Sequence, residues 1–489
     1  MAESKLNIVK YINDPVYGGI PITNIELDLI TLPIFQRLRG LRQLARVNYV
    51  FPGAEHSRFV HSLGVLYIMG LMTDHLLKQE VITEDDAVKL RVAALLHDIG
   101  HYPLSHLGES VYGYCKESCK IIPQIVLDLT PLAQSPQKPP LYEMVASHSK
   151  SAHHEMLGKY IVTHHEGIKH ILEQNGLDPN EIAEIFTGEI GSKNMLYSQL
   201  LHSSLDADRL DYLLRDSYQT GVKYGLVDLQ YLIRLLMVVD DTTAESETSN
   251  KVLVCNKKGQ HVVEHFLMSR YFHYSQIIFH KTNGAFEGLI KAMYIKLVMG
   301  NGFMYNSLEE IHTHINDYEF LSFNDSSLEV AFKNYYESTN DEEYKVLYRM
   351  YLERKRPKIV YEVKDLYDAS PQQPFSVLKW QLKREPQSIS KIVGSDNWGY
   401  QIVTVTVEKI HSNYPLTEDA DKHAEELREA VKLYDTETGT ISYLAADSMS
   451  VIGHLSNYKN EFIRIFVFDE KSKLDYQKIS QDIGSMIQA

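Results

Sequence analysis

Five apolar residues, Val92-Ala93-Ala94-Leu95-Leu96, run without a break into His97-Asp98. They end a helical pattern that starts at Ala87, and a helix apolar on most sides belongs inside a core. Its end therefore carries an imidazole and a carboxylate into surroundings where uncompensated polar groups are costly. Histidine followed by aspartate says little by itself. The apolar run gives it weight, because a divalent cation would compensate both groups where a plain buried polar pair is the alternative. His97 and His101 lie four apart and would share one face if the helix persisted.

His61 and the carboxylates of Ser204-Leu205-Asp206-Ala207-Asp208-Arg209-Leu210-Asp211-Tyr212 also fall on predicted helices. Two histidines and two carboxylates from these segments can converge on one cation. Such a cation lowers the pKa of water and braces a phosphoryl oxygen, so phosphate-ester hydrolysis is the first hypothesis.

At 489 residues the chain is too long for one compact core, and two or more lobes are expected. The pattern predicts a helix over about Asp28 to Asn48, the turn Pro52-Gly53, and a second helix from near Ser57. Gly100 and Pro103 interrupt the helix ending at His97, which puts His101 and His106 at a helix end or in the following loop. Residues 130–140, rich in Pro, Gln and Ser, read as an exposed flap. Helical patterns resume from His153 to about Gly225, a polar loop follows over 240–250, and Lys251 to Val263 reads as a small hairpin turning at Lys258-Gly259. From Glu264 to about Leu352 the signal is helical again. Beyond Ser388, Tyr400 to Glu408 and Phe462 to Phe468 read as strands, and Ala430 to Ala446 as a hairpin around Thr438-Gly439. The expected fold class is mainly α, a helical core with a smaller C-terminal α/β lobe. The divisions are an N-terminal segment (1–50), the core (51–230), a helical extension that completes the site (231–387) and the lobe (388–489).

Forty-nine basic and 64 acidic residues give a net charge of −15, which does not favour a general nucleic-acid binder. Local basic pockets for an anionic substrate remain compatible with it. The three cysteines, Cys115, Cys119 and Cys255, are too few for a disulfide scaffold and read as ordinary thiols. The first residues lack the apolar stretch of a signal peptide, and no unbroken apolar run reaches the roughly 18 residues of a membrane helix. A cytoplasmic protein without a membrane span is the expectation.

The ordered motifs Arg58-Phe59-Val60-His61-Ser62-Leu63-Gly64, His97-Asp98-Ile99-Gly100-His101-Tyr102-Pro103-Leu104-Ser105-His106 and Asp206-Ala207-Asp208-Arg209-Leu210-Asp211-Tyr212-Leu213-Leu214-Arg215-Asp216 resemble those of the HD-domain phosphohydrolases. Within them the chain is similar to the deoxynucleoside-triphosphate triphosphohydrolases, from about Asn13 to at least Lys281. The resemblance implies His61, His97, Asp98 and Asp208 as metal ligands; on composition alone Asp206 or Asp211 could replace Asp208. Manganese, magnesium, iron and zinc all suit such a shell. The implied reaction cleaves a deoxynucleoside triphosphate into deoxynucleoside and intact triphosphate, by attack of water on the α-phosphorus.

By the same resemblance, His101, His106 and His154 hold the phosphates and help proton transfer, with Glu109 orienting a histidine where the family commonly has Asp. A second run, His164-His165-Glu166, competes with His153-His154-Glu155, and order along the chain favours the first. Arg58, Arg209, Arg270 and Lys281 match positions that grip the triphosphate, although Lys is commoner at the place of Arg209. Tyr212 and Asp216 match the readers of the sugar 3′-hydroxyl, and Gln43 and Leu44 line the sugar, where a leucine would crowd a 2′-hydroxyl. Ile278 replaces an aromatic residue. Lys10, Asn13, Gln36, Arg37 and Arg39 resemble part of a surface that binds an activating nucleotide in a homo-oligomer, dimer or tetramer. Thr31 replaces an aspartate that reads guanine, and Arg354-Lys355-Arg356 offers further cations. The rival readings are an HD phosphohydrolase acting on other nucleotides or single-stranded nucleic acid, and a non-catalytic nucleotide sensor.

Overall fold

The structure is a computed structural model that describes residues 5–115, 154–188, 195–240, 251–368, 392–393, 400–407, 430–455 and 458–488. The segment 130–140, Cys119 and His153 lie outside these residues. The fold is mainly helical with small sheets.

The chain begins with an antiparallel hairpin, β1 (Ile8–Asp14) and β2 (Gly18–Thr23), whose tight end pairs Asp14 with Gly18. Thr23 then caps the Asn24–Thr31 helix: its hydroxyl accepts from the Glu26 amide while the Glu26 carboxylate accepts from the Thr23 amide. The single helix expected over 28–48 is instead four short pieces, Asn24–Thr31, Pro33–Gln36, Arg37–Gly40 and Val47–Tyr49. Pro33 explains the first break, since it holds Leu32 extended and starts a new turn.

The Arg58–Lys78 helix is the central strut. It packs against the Glu84–Leu96 and Ala207–Thr220 helices. It is also the one described helix long and apolar enough to cross a membrane, yet 67% of that stretch is buried inside the fold. Reading for an unbroken apolar run passes over it, because His61, Asp74 and His75 interrupt it. Thr83 caps the Glu84–Leu96 helix with a second reciprocal box through Asp86, and the helix stops at His97. Asp206 caps the Ala207–Thr220 helix by accepting from the Arg209 amide, and Gly221, at φ +76°, ends it.

The hairpin expected over 251–263 is drawn differently. β4 (Lys251–Asn256) pairs backwards with β3 (Leu236–Asp240), and Lys257–Gly259 is one 3₁₀ turn opening the Gln260–His273 helix. The hairpin around Gly439 does form, from β7 (Lys432–Asp435) and β8 (Thr440–Tyr443). β7 lies parallel to β4, with Cys255 opposite Leu433, so one sheet has the order β3-β4-β7-β8. A second sheet sets β9 (Tyr458–Val467) antiparallel between β5 (Lys358–Asp368) and β6 (Tyr400–Val407). Ile463, Ile465 and Val467 on β9 form a small second core with Val360, Ile479 and Ile483. Leu433, Leu444 and Ile452 belong instead to the main core, with the helices of the first 350 residues.

Candidate metal centre and active site

Three helix ends meet at the centre. His61 lies in the first turn of Arg58–Lys78, His97 caps the end of Glu84–Leu96 and is followed by Asp98, and Asp208 lies in the first turn of Ala207–Thr220. One ligand atom from each of His61, His97 and Asp208 falls within a 4.8 Å cluster. Asp98 borders it, with Oδ2 3.5 Å from His61 Nε2 and Oδ1 3.4 Å from His97 Nε2. His61 Nε2 also lies 3.0 Å from Asp208 Oδ1, without hydrogen-bond geometry.

The other ring nitrogens are already committed. His61 Nδ1 donates to Asp211 Oδ2 at 2.7 Å, and His97 Nδ1 donates to the Ala94 carbonyl at 2.8 Å. In its neutral form each ring would therefore keep its lone pair on Nε2, and both Nε2 atoms are buried with no hydrogen-bond partner among the described residues. Buried polar atoms are rarely left so. A mixed nitrogen and oxygen shell with two such atoms fits a divalent cation. The electrostatics agree. Burial opposes the His61 imidazolium, but the close carboxylates of Asp208 and Asp211 and the charge of Asp98 outweigh it, raising its pKa to about 10. Burial also opposes the Asp98 carboxylate, yet the charges of Arg58, His97 and His101 hold it well below the usual range. The pocket favours positive charge.

A second cluster adjoins through Asp98, whose Oδ1 is 3.1 Å from His101 Nε2. His101, His106 and His154 each bring a ring nitrogen within 4.8 Å of the others. The helix does not persist to His101 but ends at Leu96, and a turn brings His97 and His101 to the same Asp98 oxygen, Oδ1. Leu104 and Ser105, both at positive φ (61° and 55°), turn the chain so that His106 opens the helix over 106–115. Gly100 permits the meeting with His154: a Cβ there would overlap the His154 carbonyl and the Gly158 amide. Glu109 Oε2 accepts from His154 Nδ1 at 3.0 Å and from His106 Nδ1 at 3.2 Å. Burial lowers the His154 pKa to about 4, against the opposing Glu109 hydrogen bond. The competing run ends elsewhere, since His165 caps the Glu166–Gln174 helix by accepting from the Ile168 amide.

The cations are unevenly placed. Arg58 is buried, donating to Asp98 Oδ2 at 2.7 Å and to Ser105 Oγ at 3.0 Å. Arg209 donates to Asp206 Oδ2 at 2.5 Å and to the Ser203 carbonyl. The charges of Arg270 and Arg209 both act on the buried Tyr212 hydroxyl, which burial pushes well above its ordinary range. Arg270 also lies over the Tyr274 ring at 5.9 Å. Lys281 is exposed at the start of the Lys281–Met299 helix, after the π-helical turn Tyr274–Ile278 that contains Ile278.

Tyr212 Oη is buried without a partner among the described residues, as is Gln43 Oε1, while Leu44 is half-buried. Both Asp216 oxygens are occupied, Oδ1 by His56 Nε2 at 2.8 Å and Oδ2 by His273 Nε2 at 2.9 Å. Neither histidine is singled out by the sequence, and no spacing signal would have found them. Asp211 and Arg215 could have been found, since Asp208, Asp211 and Arg215 fall at i, i+3 and i+7 on one helical face.

Around the N-terminal segment, Lys10 and Asn13 are exposed on β1. Arg39 lies over the Phe59 ring at 3.6 Å and donates to Gln36 Oε1. Arg37 is buried; it donates to the carbonyls of Phe323, Ile99 and His101 and so braces the turn that carries the histidines.

A histidine–aspartate centre on three helix ends is the hallmark of one domain class, and residues 58–216 match the HD domain family. The chain carries an HD domain, with the site composition of a metal-dependent phosphohydrolase. It is similar to the uncharacterized protein YwfO of Bacillus subtilis, 32% identical over 289 residues that cover 58% of this chain and 55% of that one. It is 29% identical over 279 residues to human deoxynucleoside triphosphate triphosphohydrolase SAMHD1, covering 52% and 39% of the two chains. The crystal structure of a phosphohydrolase from Bacteroides thetaiotaomicron matches with a TM-score of 0.61 at 25% identity, over 93% of this chain and 99% of that one. The chain spans about half the length of the first two curated relatives it matches.

Proposed function

We propose that this protein hydrolyses deoxynucleoside triphosphates to deoxynucleoside and inorganic triphosphate. The observation that carries the reading is the junction at Asp98, where a cation-seeking pocket meets a cluster of three histidines, two of them (His106 and His154) held by Glu109. The similarity to a deoxynucleoside triphosphate triphosphohydrolase supports the choice of substrate.

His61, His97, Asp98 and Asp208 would hold a divalent cation, which supplies Lewis acidity toward a phosphoryl oxygen. The protein's own groups do the rest. Arg58, Arg209, Arg270 and Lys281 neutralise the triphosphate, and His101 donates a hydrogen bond to it. Glu109 fixes His154 through Nδ1, and the ring exchanges a proton with the substrate through Nε2. A pKa near 4 keeps His154 neutral in the resting site, and the arriving triphosphate charge raises its proton affinity. Protonated His154 then donates to the departing nucleoside 5′-oxygen. Tyr212 offers its hydroxyl to the sugar, and Leu44 narrows the space for a 2′-hydroxyl. Nucleotide activation through Lys10, Asn13, Gln36 and Arg39 in a homo-oligomer completes the reading; Arg37, expected on that surface, is buried against the carbonyls of Phe323, Ile99 and His101 and takes no part in it.

The test is chromatography of products after incubation with each deoxynucleoside triphosphate, singly and in mixtures, with manganese or magnesium. Deoxynucleoside plus triphosphate is the expected outcome. Monophosphate plus pyrophosphate, or turnover of other nucleotides or single-stranded nucleic acid alone, would overturn it.

A further inference from the structure

Four buried side chains join the metal-site histidine to the N-terminal hairpin. His61 Nδ1 donates to Asp211 Oδ2 at 2.7 Å. Arg215 grips the same carboxylate with two bonds, Nε to Oδ2 at 2.9 Å and Nη2 to Oδ1 at 3.0 Å. Its third arm, Nη1, reaches Asp14 Oδ2 at 2.7 Å. The other Asp14 oxygen accepts from the amides of Val16 and Tyr17 at 2.9 and 3.1 Å, which closes the β1–β2 turn. His61, Asp211 and Arg215 are fully buried and Asp14 is 8% exposed, so water cannot stand in for a lost link.

Two further features show that room is made for this chain. Gly64, one turn beyond His61, is where any Cβ would overlap Asp211 Oδ1 and Arg215 Nη2. The Arg215 guanidinium also lies 5.5 Å from the Tyr17 ring, which itself stacks on Tyr67 at 4.7 Å.

We propose that Arg215 and Asp14 are positioning residues for His61, and that the β1–β2 hairpin and the metal centre are coupled through Asp14, Arg215, Asp211 and His61. The inference rests on the metal reading above. A cation on Nε2 needs the proton on Nδ1; Asp211 sets that tautomer, Arg215 fixes Asp211, and Asp14 fixes Arg215. Partners of this kind typically tune metal affinity by about 10- to 100-fold. Coupling is reciprocal, so a cation at His61 must also steady the hairpin.

The test uses Mn²⁺ and the full chain. Free Mn²⁺ is followed by electron paramagnetic resonance to give the affinity, and hydrogen exchange is measured over residues 8–23 with and without the ion. Exchange in the Asp14–Tyr17 turn is expected to slow at least about threefold on Mn²⁺ binding. Asp14→Asn is expected to weaken Mn²⁺ binding about tenfold while the protein still melts cooperatively. Mn²⁺ bound with hairpin exchange unaltered, or a folded Asp14→Asn variant with unaltered affinity, overturns the coupling alone. No Mn²⁺ binding by the unaltered chain overturns the metal reading and the coupling with it. Should Asp14→Asn not fold, exchange in the unaltered chain decides.

Discussion

The rings of His101 and His154 stack with centroids 3.9 Å apart and planes 14° from parallel. Protonating either ring sets positive charge against the other. Burial first, then the charges of Arg58 and His154, holds His101 well below the ordinary histidine range. Glu109 is the counterweight, and as a carboxylate on His154 Nδ1 it raises that ring's proton affinity. Glu109→Gln keeps the shape and removes the charge. If protonated His154 is the acid, the alkaline limb of the pH–rate profile moves to lower pH by about one unit, with kcat down at least about tenfold at pH 8. An unmoved limb, measured with a chromatographic product assay, would refute the role.

Asp208 is repelled by Asp98 and attracted by His61 and His97. Asp208→Ala therefore removes a ligand together with the attraction of His61 and His97, which outweighs burial and the Asp98 repulsion. The metal-free variant is expected to melt somewhat below the parent. Mn²⁺ at about 100 times its dissociation constant should raise the parent's Tm by at least about 2 °C, and leave the variant's unmoved. Differential scanning calorimetry reads both; a shift in the variant refutes the ligand assignment.

Gly64→Ala separates two opposed effects. Alanine in a helix interior ordinarily gains about 1 kcal/mol over glycine. Here the methyl group meets the Asp211–Arg215 pair, and overpacking of a tight core costs about 1–3 kcal/mol. The expected result is a lower urea midpoint; a raised one would show that the pair can yield.

Asp216, expected from the resemblance to read the sugar, has both oxygens taken by buried histidines and is expected to be structural. Removing its carboxylate strands His56 Nε2 and His273 Nε2, both inside the protein. Loss of such a buried acceptor costs about 3 kcal/mol. Asp216→Ala should therefore lower the urea midpoint clearly, whereas a residue that only reads a sugar would leave it unchanged.

The legible parts of this molecule are those written locally. The apolar run into His97-Asp98 locates a buried helix end, and the turn Pro52-Gly53 stands before the helix that carries His61. The hairpin at Gly439 announces itself through its turn. What escaped depends on distant partners. Asp216 meets His56 and His273 from far along the chain, and β4 pairs with β3 across ten intervening residues rather than with the segment after it. Pro33 is visible in the sequence, but the surrounding apolar spacing masks it and predicts one helix where four short pieces form.

The parallel pairing of β4 with β7 has a practical consequence. The change of composition near residue 388 invites a shortened version that stops there. Such a cut removes β7 and β8 and strips the end of β4 of its neighbour, baring backbone donors and acceptors at Cys255 and Asn256 beside the buried apolar residues Val252, Leu253 and Val254. Open edges of that kind recruit other chains. Insolubility of the shortened protein would then report a missing strand and say nothing about whether the HD domain can fold.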